Sequence, residues 1–294
     1  MFNNEKTLLI TGAASGLGEA TVRKFSQNPQ YLIFATDKNL SIHQTFPPEH
    51  YPHVFAQTLD IRDPNQTVET LSGILDTTGR VDVLINNAGV LNSGSLESYF
   101  TEDGSPTAEY IELFKTNLEA PVLLTLRVLE QMRTQHSGHI INVTSSSEHN
   151  RSPYRKPYAD IKAVFAGITK NMAQQEINNG IKVTNIQPGM HKTAIERHIW
   201  TVGTNQSDAV ASQQLYDWWR NTFGMQPENV AKAIYKVAEG EITDQRVLVG
   251  WDTHLTTFLD EHLPFWQELF TFGYNGVLLG VKFGIQLRGE NELK

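Results

Sequence analysis

Residues 6–18 read Lys6-Thr7-Leu8-Leu9-Ile10-Thr11-Gly12-Ala13-Ala14-Ser15-Gly16-Leu17-Gly18. Positions 6–11 form a short apolar run without polar alternation, as a strand covered on both faces requires. Glycines then interrupt the run, and 16–27 continues as a helix. Such a turn lets backbone N–H groups approach a pyrophosphate closely, and the helix N-terminus adds unpaired donors and a partial positive charge. Taken alone, it is equally an ordinary tight strand–helix turn. Context favours the anion reading: a second apolar run, 31–36, leads into Asp37, where a carboxylate that accepts from ribose hydroxyls belongs.

The same alternation continues outward. Apolar runs recur at 53–59, 81–86, 139–144, 182–186 and 246–249, and 107–135 and 157–178 are long enough for substantial helices. Strands alternating with helices predict βαβ units and a parallel sheet. No repeat, low-complexity tract or linker divides the chain. The reading is one α/β domain over 1–260, a doubly wound parallel sheet of about seven strands with flanking helices. A C-terminal helical extension follows over 261–294.

Composition narrows the function classes. Of 294 residues, 39% are hydrophobic, with 14 Phe, 9 Tyr and 5 Trp, which suffices for a large core and excludes a disordered chain. Lys plus Arg number 24 against 32 Asp plus Glu, a net charge of −8 that disfavours a nucleic-acid backbone binder. Cysteine is absent, which removes disulfides, thiolate metal sites and cysteine nucleophiles and fits a reducing compartment. The N-terminus lacks the basic start and apolar stretch of a signal peptide, and Lys282 ends the uncharged run 269–281 short of a spanning length. The expectation is a cytoplasmic protein.

Asp37 also bears on the choice of dinucleotide. A carboxylate accepts from both ribose hydroxyls of NAD and repels the 2′-phosphate of NADP. Ser15 stands in the turn where a basic residue would pair that phosphate, and Lys38 offers a partial counter-charge. NAD is the expected cofactor, with NADP the alternative.

Further motifs lie in order along the chain. Asn86-Asn87-Ala88-Gly89 closes the fourth apolar run, Asn117 lies in Lys115-Thr116-Asn117-Leu118, and Ser145 ends the fifth run. Tyr158 and Lys162 form Tyr-x-x-x-Lys, and Pro188-Gly189 with Thr193 follow the sixth run. Together with Thr11-Gly12-x-x-x-Gly16-x-Gly18, this combination resembles the short-chain dehydrogenase/reductase family over residues 5–250. The resemblance implies a Rossmann-like fold and an NAD(P)-dependent oxidoreductase acting on an alcohol or carbonyl substrate. It also implies a homodimer or homotetramer.

In that resemblance, Tyr158 exchanges a proton with the substrate oxygen, Lys162 holds the nicotinamide ribose and tunes Tyr158, and Ser145 hydrogen-bonds the substrate oxygen. Asn117 holds backbone and a water for a relay to Lys162. The cofactor would lie against Gly12, Ser15, Gly16, Leu17 and Gly18, with Asp37 on the ribose and Asp60 with Ile61 at the adenine. Asn87, Ala88 and Gly89 would floor the adenosine side, and Pro188, Gly189 and Thr193 would bracket the carboxamide. No metal is implied. The residues themselves leave plainer roles open: a half-buried helix tyrosine, a solvated lysine paired with Asp160, an interior amide at Asn117, and a strand-capping serine within Thr144–Ser147.

Two departures from the family pattern stand out. Ser145 is followed by Ser146-Ser147-Glu148-His149-Asn150, and Ala159-Asp160-Ile161 separates Tyr158 from Lys162. Glu148 and His149 read as substrate contacts or as exposed loop residues. Trp200, Tyr216, Trp218, Trp219 and Phe223 read as the lining of an apolar substrate pocket or as anchors of a flap. In the tail, Gly273, Gly276, Gly280 and Gly284 share a helical face, which suits a subunit contact, a membrane-surface helix or plain packing. An isomerase or dehydratase using bound NAD, and a nucleotide-binding regulator, are the rival functions.

Overall fold

The structure, a computed structural model, describes residues 5–149, 156–193, 201–202, 214 and 217–263. The expected tail helix with its glycines, and Trp200 and Tyr216 of the aromatic segment, lie outside the described residues.

All seven expected strands form, as β1 (Lys6–Thr11), β2 (Tyr31–Asp37), β3 (Val54–Thr58), β4 (Val83–Asn86), β6 (Gly138–Val143), β7 (Ile181–Pro188) and β9 (Arg246–Val249). They make one sheet in the order β3-β2-β1-β4-β6-β7-β9, every pair parallel. A separate two-stranded parallel pair joins β5 (Ser93–Gly94) to β8 (Thr201–Val202). The order runs outward in both directions from the β1/β4 boundary, so the chain reverses its winding there and opens a crevice at the strands' carboxyl ends.

Alternation of side chains sends Leu8, Ile10, Ile33, Ile85 and Ile186 to one face of the sheet and Leu9, Leu32, Phe34, Leu84 and Val183 to the other. Because helices cover both faces, both sets must be apolar. Helices α1 (Gly16–Phe25) and α7 (Pro227–Ala238) supply Val22, Phe25, Val230 and Ile234 to the first face. Helices α3 (Pro64–Thr78), α5 (Ala120–Gln135) and α6 (Lys156–Gln175) supply Ile74, Val128 and Met172 to the second. A short α2 (Ile42–Thr45) follows β2, and α8 (Trp251–His262) follows β9.

The expected helix over 107–135 is divided. It begins as α4 (Ala108–Phe114), passes through a wide π turn (Lys115–Glu119), and resumes as α5. The cause is Asn117, whose amide Nδ2 donates to the carbonyls of Leu113, at 3.0 Å, and Val90, at 2.9 Å. A side chain that takes the i−4 carbonyl displaces the backbone donor, and the Ala120 N–H reaches back to Lys115. Among the described residues, no helix is long and apolar enough to cross a membrane.

Candidate active site

The loops leaving β1, β4, β6 and β7 all emerge at the carboxyl edge of the sheet. Gly12 adopts φ +68°, a conformation costly for a residue with a side chain. A Cβ there would stand 2.6 Å from the Ala88 Cα, and one on Gly18 would overlap the Gly12 carbonyl and approach the Asn87 amide nitrogen to 2.6 Å. The turn thus packs backbone against backbone. Asn87 fastens it: its Nδ2 donates to the carbonyls of Thr11 (3.0 Å) and Gly12 (2.9 Å). The backbone N–H groups of Asn87 and Ala88 donate to the Thr11 hydroxyl at 3.2 and 3.1 Å.

Asp37 lies at the end of β2 beside this turn. Its carboxylate accepts from the Ala14 N–H at 2.9 Å and the Asn39 N–H at 2.8 Å, tying the turn to the second strand. Asp60 is gripped by the Arg62 guanidinium at 2.6–3.2 Å, which holds its carboxyl below the usual range. Ile61 is buried beside Ala88.

Tyr158 and Lys162 lie one turn apart on α6, and both are buried. The Lys162 Nζ donates to the Val143 carbonyl at the end of β6 (3.2 Å) and stands 5.9 Å from the Tyr158 ring centre. Burial pushes its pKa down to about 8. A solvated lysine paired with Asp160 is therefore not what the structure contains. Gly89, Asn117 and Lys162 converge: a Cβ on Gly89 would lie 2.9 Å from the Asn117 Oδ1 and 3.7 Å from the Lys162 Nζ. That Asn117 oxygen is buried and has no hydrogen-bond partner among the described residues. A buried acceptor beside an ammonium with donors to spare suits a water or a sugar hydroxyl.

Within the serine run, the hydroxyls are sorted by their partners. Thr144 is buried and donates to the Asn185 amide oxygen at 2.6 Å, so it is committed to the sheet. Ser147 directs its hydroxyl (2.8 Å) and its backbone N–H (3.1 Å) to the Ser145 Oγ, which leaves the Ser145 proton to point elsewhere. Glu148 is not an exposed loop residue: its side chain is largely buried. Its carboxylate accepts from Gln187 of β7 and stands 3.8 Å from the Arg246 guanidinium of β9.

Past β7, Pro188 is buried, the Gly189 N–H donates to Val249 at 2.8 Å, and the Thr193 N–H donates to the His191 carbonyl at 2.9 Å. Asp252, at the start of α8, accepts from the Met190 N–H at 2.6 Å. His191 is buried, which lowers its pKa, and its Nδ1 lies 2.9 Å from the Gly189 carbonyl. Asp252, His191 and Ser147 were not singled out by the sequence. Their only signal is position, each three or four residues past a strand end. Trp218, Trp219 and Phe223 pack against one another, with ring centres 5.0–6.0 Å apart, and Phe223 reaches Trp251 at 6.4 Å. A cavity of ≈ 690 Å³ beside α1 shares Gly16 and Thr193 with these loops but is lined by neither Tyr158 nor Lys162.

Residues 6–202 match the short chain dehydrogenase family. The chain belongs to that family. An uncharacterized oxidoreductase of Staphylococcus saprophyticus is 29% identical over 240 residues, covering 81% of this chain and 92% of that protein. The 3-oxoacyl-[acyl-carrier-protein] reductase of Thermotoga maritima is 31% identical over 194 residues, 64% of this chain and 75% of that one. The solved short-chain dehydrogenase of Streptomyces avermitilis superposes with a TM-score of 0.75 at 26% identity, covering 94% of this chain and 98% of its own. The 3-ketoacyl-(acyl-carrier-protein) reductase of Brucella melitensis, complexed with NADH, shares the fold at 20% identity, a TM-score of 0.68, and 83% and 96% coverage. The chain is thus a short-chain dehydrogenase/reductase with an NAD(P)-binding Rossmann fold.

The glycine turn keeps its close packing only as long as positions 12 and 18 lack a Cβ. Gly18→Ala is expected to weaken dinucleotide binding by about tenfold or more in calorimetric titration, since the turn must open to admit the methyl group. Gly73→Ala, where a Cβ meets nothing within 4 Å, should leave that affinity unchanged. Equal affinities for both variants would contradict the role of the turn.

Proposed function

We propose that this protein interconverts a secondary alcohol and a ketone with NAD as the hydride carrier, on a substrate whose body is largely apolar. The observation that carries the reading is the buried pair of Tyr158 and Lys162, which shares one end of the sheet with the glycine turn, Ser145 and the Asn117 oxygen that has no partner among the described residues. Bound nicotinamide supplies or accepts the hydride.

The protein's own groups manage the proton and the charge. An unperturbed phenol titrates near ~10, too high to act as a base at neutral pH. The Lys162 ammonium, 5.9 Å from the Tyr158 ring centre, favours the phenolate over the phenol. Tyr158 then takes the proton from the substrate hydroxyl in oxidation and returns it in reduction. Ser145, its oxygen held by Ser147, donates to the substrate oxygen and stabilises the charge that gathers there. Lys162 and the Asn117 oxygen hold water or ribose hydroxyls through which Tyr158 is reprotonated. Asp37 supports NAD as the cofactor because its carboxylate accepts from hydroxyls and repels a phosphate. Leu91, Tyr99, Leu113, Leu118 and Phe165 packed about Tyr158, with Trp218 and Phe223 exposed in the segment 25–30 residues beyond Thr193, support an apolar substrate.

The test is absorbance of the reduced nicotinamide, with NAD⁺ and a panel of secondary alcohols, and with NADH and the matching ketones. Turnover of bulky apolar members over small polyols is expected. Preference for polyols would overturn the substrate assignment. Conversion of a substrate without net change in nicotinamide would overturn the reaction.

A further inference from the structure

Around the adenosine end of the site, three carboxylates face two cations, and one of the carboxylates comes from an unexpected element. Glu112 sits on α4, far along the chain from the β2 and β3 loops. Its Oε1 accepts from the Lys38 ammonium at 3.2 Å and from the Arg62 guanidinium at 3.0 Å. β2 and β3 pair with Asp37 opposite Thr58, so Lys38 and Arg62, just past those strands, emerge at one edge of the sheet. Arg62 is doubly held, since its Nε and Nη2 also grip Asp60. Lys38 has Glu112 as its partner.

We infer that Glu112 is a specificity-determining residue that sets the preference for NAD over NADP by holding Lys38, the cation next to the ribose-side Asp37, so that it is not available to a 2′-phosphate. The inference rests on the proposed NAD-binding role of Asp37 and adds a second determinant to it. A 2′-phosphate brings about two negative charges, and a 2′-hydroxyl brings none. With Glu112 in place, a phosphate meets its repulsion and must first break the Lys38 pair. Without Glu112, Asp60 still holds Arg62, whereas Lys38 loses the hydrogen-bonded carboxylate it has among the described residues and can turn to the phosphate. NAD, neutral at that position, is indifferent to the exchange.

The experiment is a direct binding titration of NAD⁺ and NADP⁺ by calorimetry, on the unaltered protein, Glu112→Gln, Lys38→Met and the double variant, with folding checked by circular dichroism. Glu112→Gln is expected to tighten NADP⁺ about tenfold while changing NAD⁺ less than about twofold, a gain that shrinks in high salt because these side chains are partly exposed. Lys38→Met should erase the gain in the double variant and change little by itself. The inference is overturned if Glu112→Gln leaves the ratio of the two affinities unchanged, or if the gain survives Lys38→Met. It is also overturned if the unaltered protein already binds NADP⁺ the more tightly. Binding of neither dinucleotide by the unaltered, folded protein would instead overturn the proposed function on which the inference stands.

Discussion

Tyr158→Phe lowers kcat by about 10³-fold or more, while NAD⁺ binds within about threefold of its affinity for the unaltered protein. The substitution deletes one oxygen and keeps the ring that packs with Leu91, Leu113 and Phe165. Volume and burial hardly change, so stability should move little. What disappears is the group proposed to pass the proton. Lys162 does not replace it, because its Nζ is directed to the Val143 carbonyl and lies 5.9 Å from the ring centre. The measurement pairs steady-state kinetics on any alcohol or ketone that the protein turns over with calorimetric titration of the dinucleotide. A variant that retains a tenth of its turnover shows that another group moves the proton. One that loses binding with turnover shows that the tyrosine was structural.

Lys162→Met is expected to act in opposite directions on activity and stability. An ammonium buried at the end of β6 with one carbonyl acceptor loses hydration that the fold does not replace, and its pKa falls from 10.5 to about 8. A lysine whose folded pKa is depressed destabilises the fold fully below that value. The penalty is relieved as pH rises from about 8 toward 10.5, because over that range the unfolded chain holds the proton and the folded one does not. The shift corresponds to about 3 kcal/mol near neutral pH. Methionine fills similar space without charge, at the loss of one hydrogen bond to Val143, about 1 kcal/mol. At pH 7 the variant should therefore melt about 5 °C higher than the unaltered protein in the absence of cofactor. The advantage should narrow at pH 10 and above. Turnover should fall by about 10³-fold, since both the donor proposed for the ribose and the charge proposed to act on Tyr158 are gone. A lower melting temperature at pH 7 would mean that the ammonium has partners that offset its burial.

Much of this site was legible along the chain. The glycine turn, Asp37, Asn87 and the Tyr158–Lys162 spacing are local patterns, and each falls within a few residues of a strand end that the apolar runs already marked. The helix over 107–135 was legible in extent but not in form, because the π turn depends on the Asn117 amide finding the Val90 carbonyl 27 residues away. The burial of Glu148 was illegible for the same reason. Its polar setting in sequence suggests solvent or substrate, and only the β7 and β9 side chains opposite it, Gln187 and Arg246, reveal an internal anchor.

The pattern of apolar runs and breaks determined, by itself, a doubly wound sheet and the order in which its functional loops are presented. Period and turn chemistry are properties of neighbours along the chain, and they suffice to choose strands, helices and their alternation. The tertiary structure alone decided which charges face one another. Lys38 meets Glu112 across 74 residues, Met190 meets Asp252 across 62, and the Lys162 ammonium is buried against the Val143 carbonyl 19 residues away. Electrostatic energy depends on distance and on access of solvent, and neither is set until the sheet has brought distant segments together.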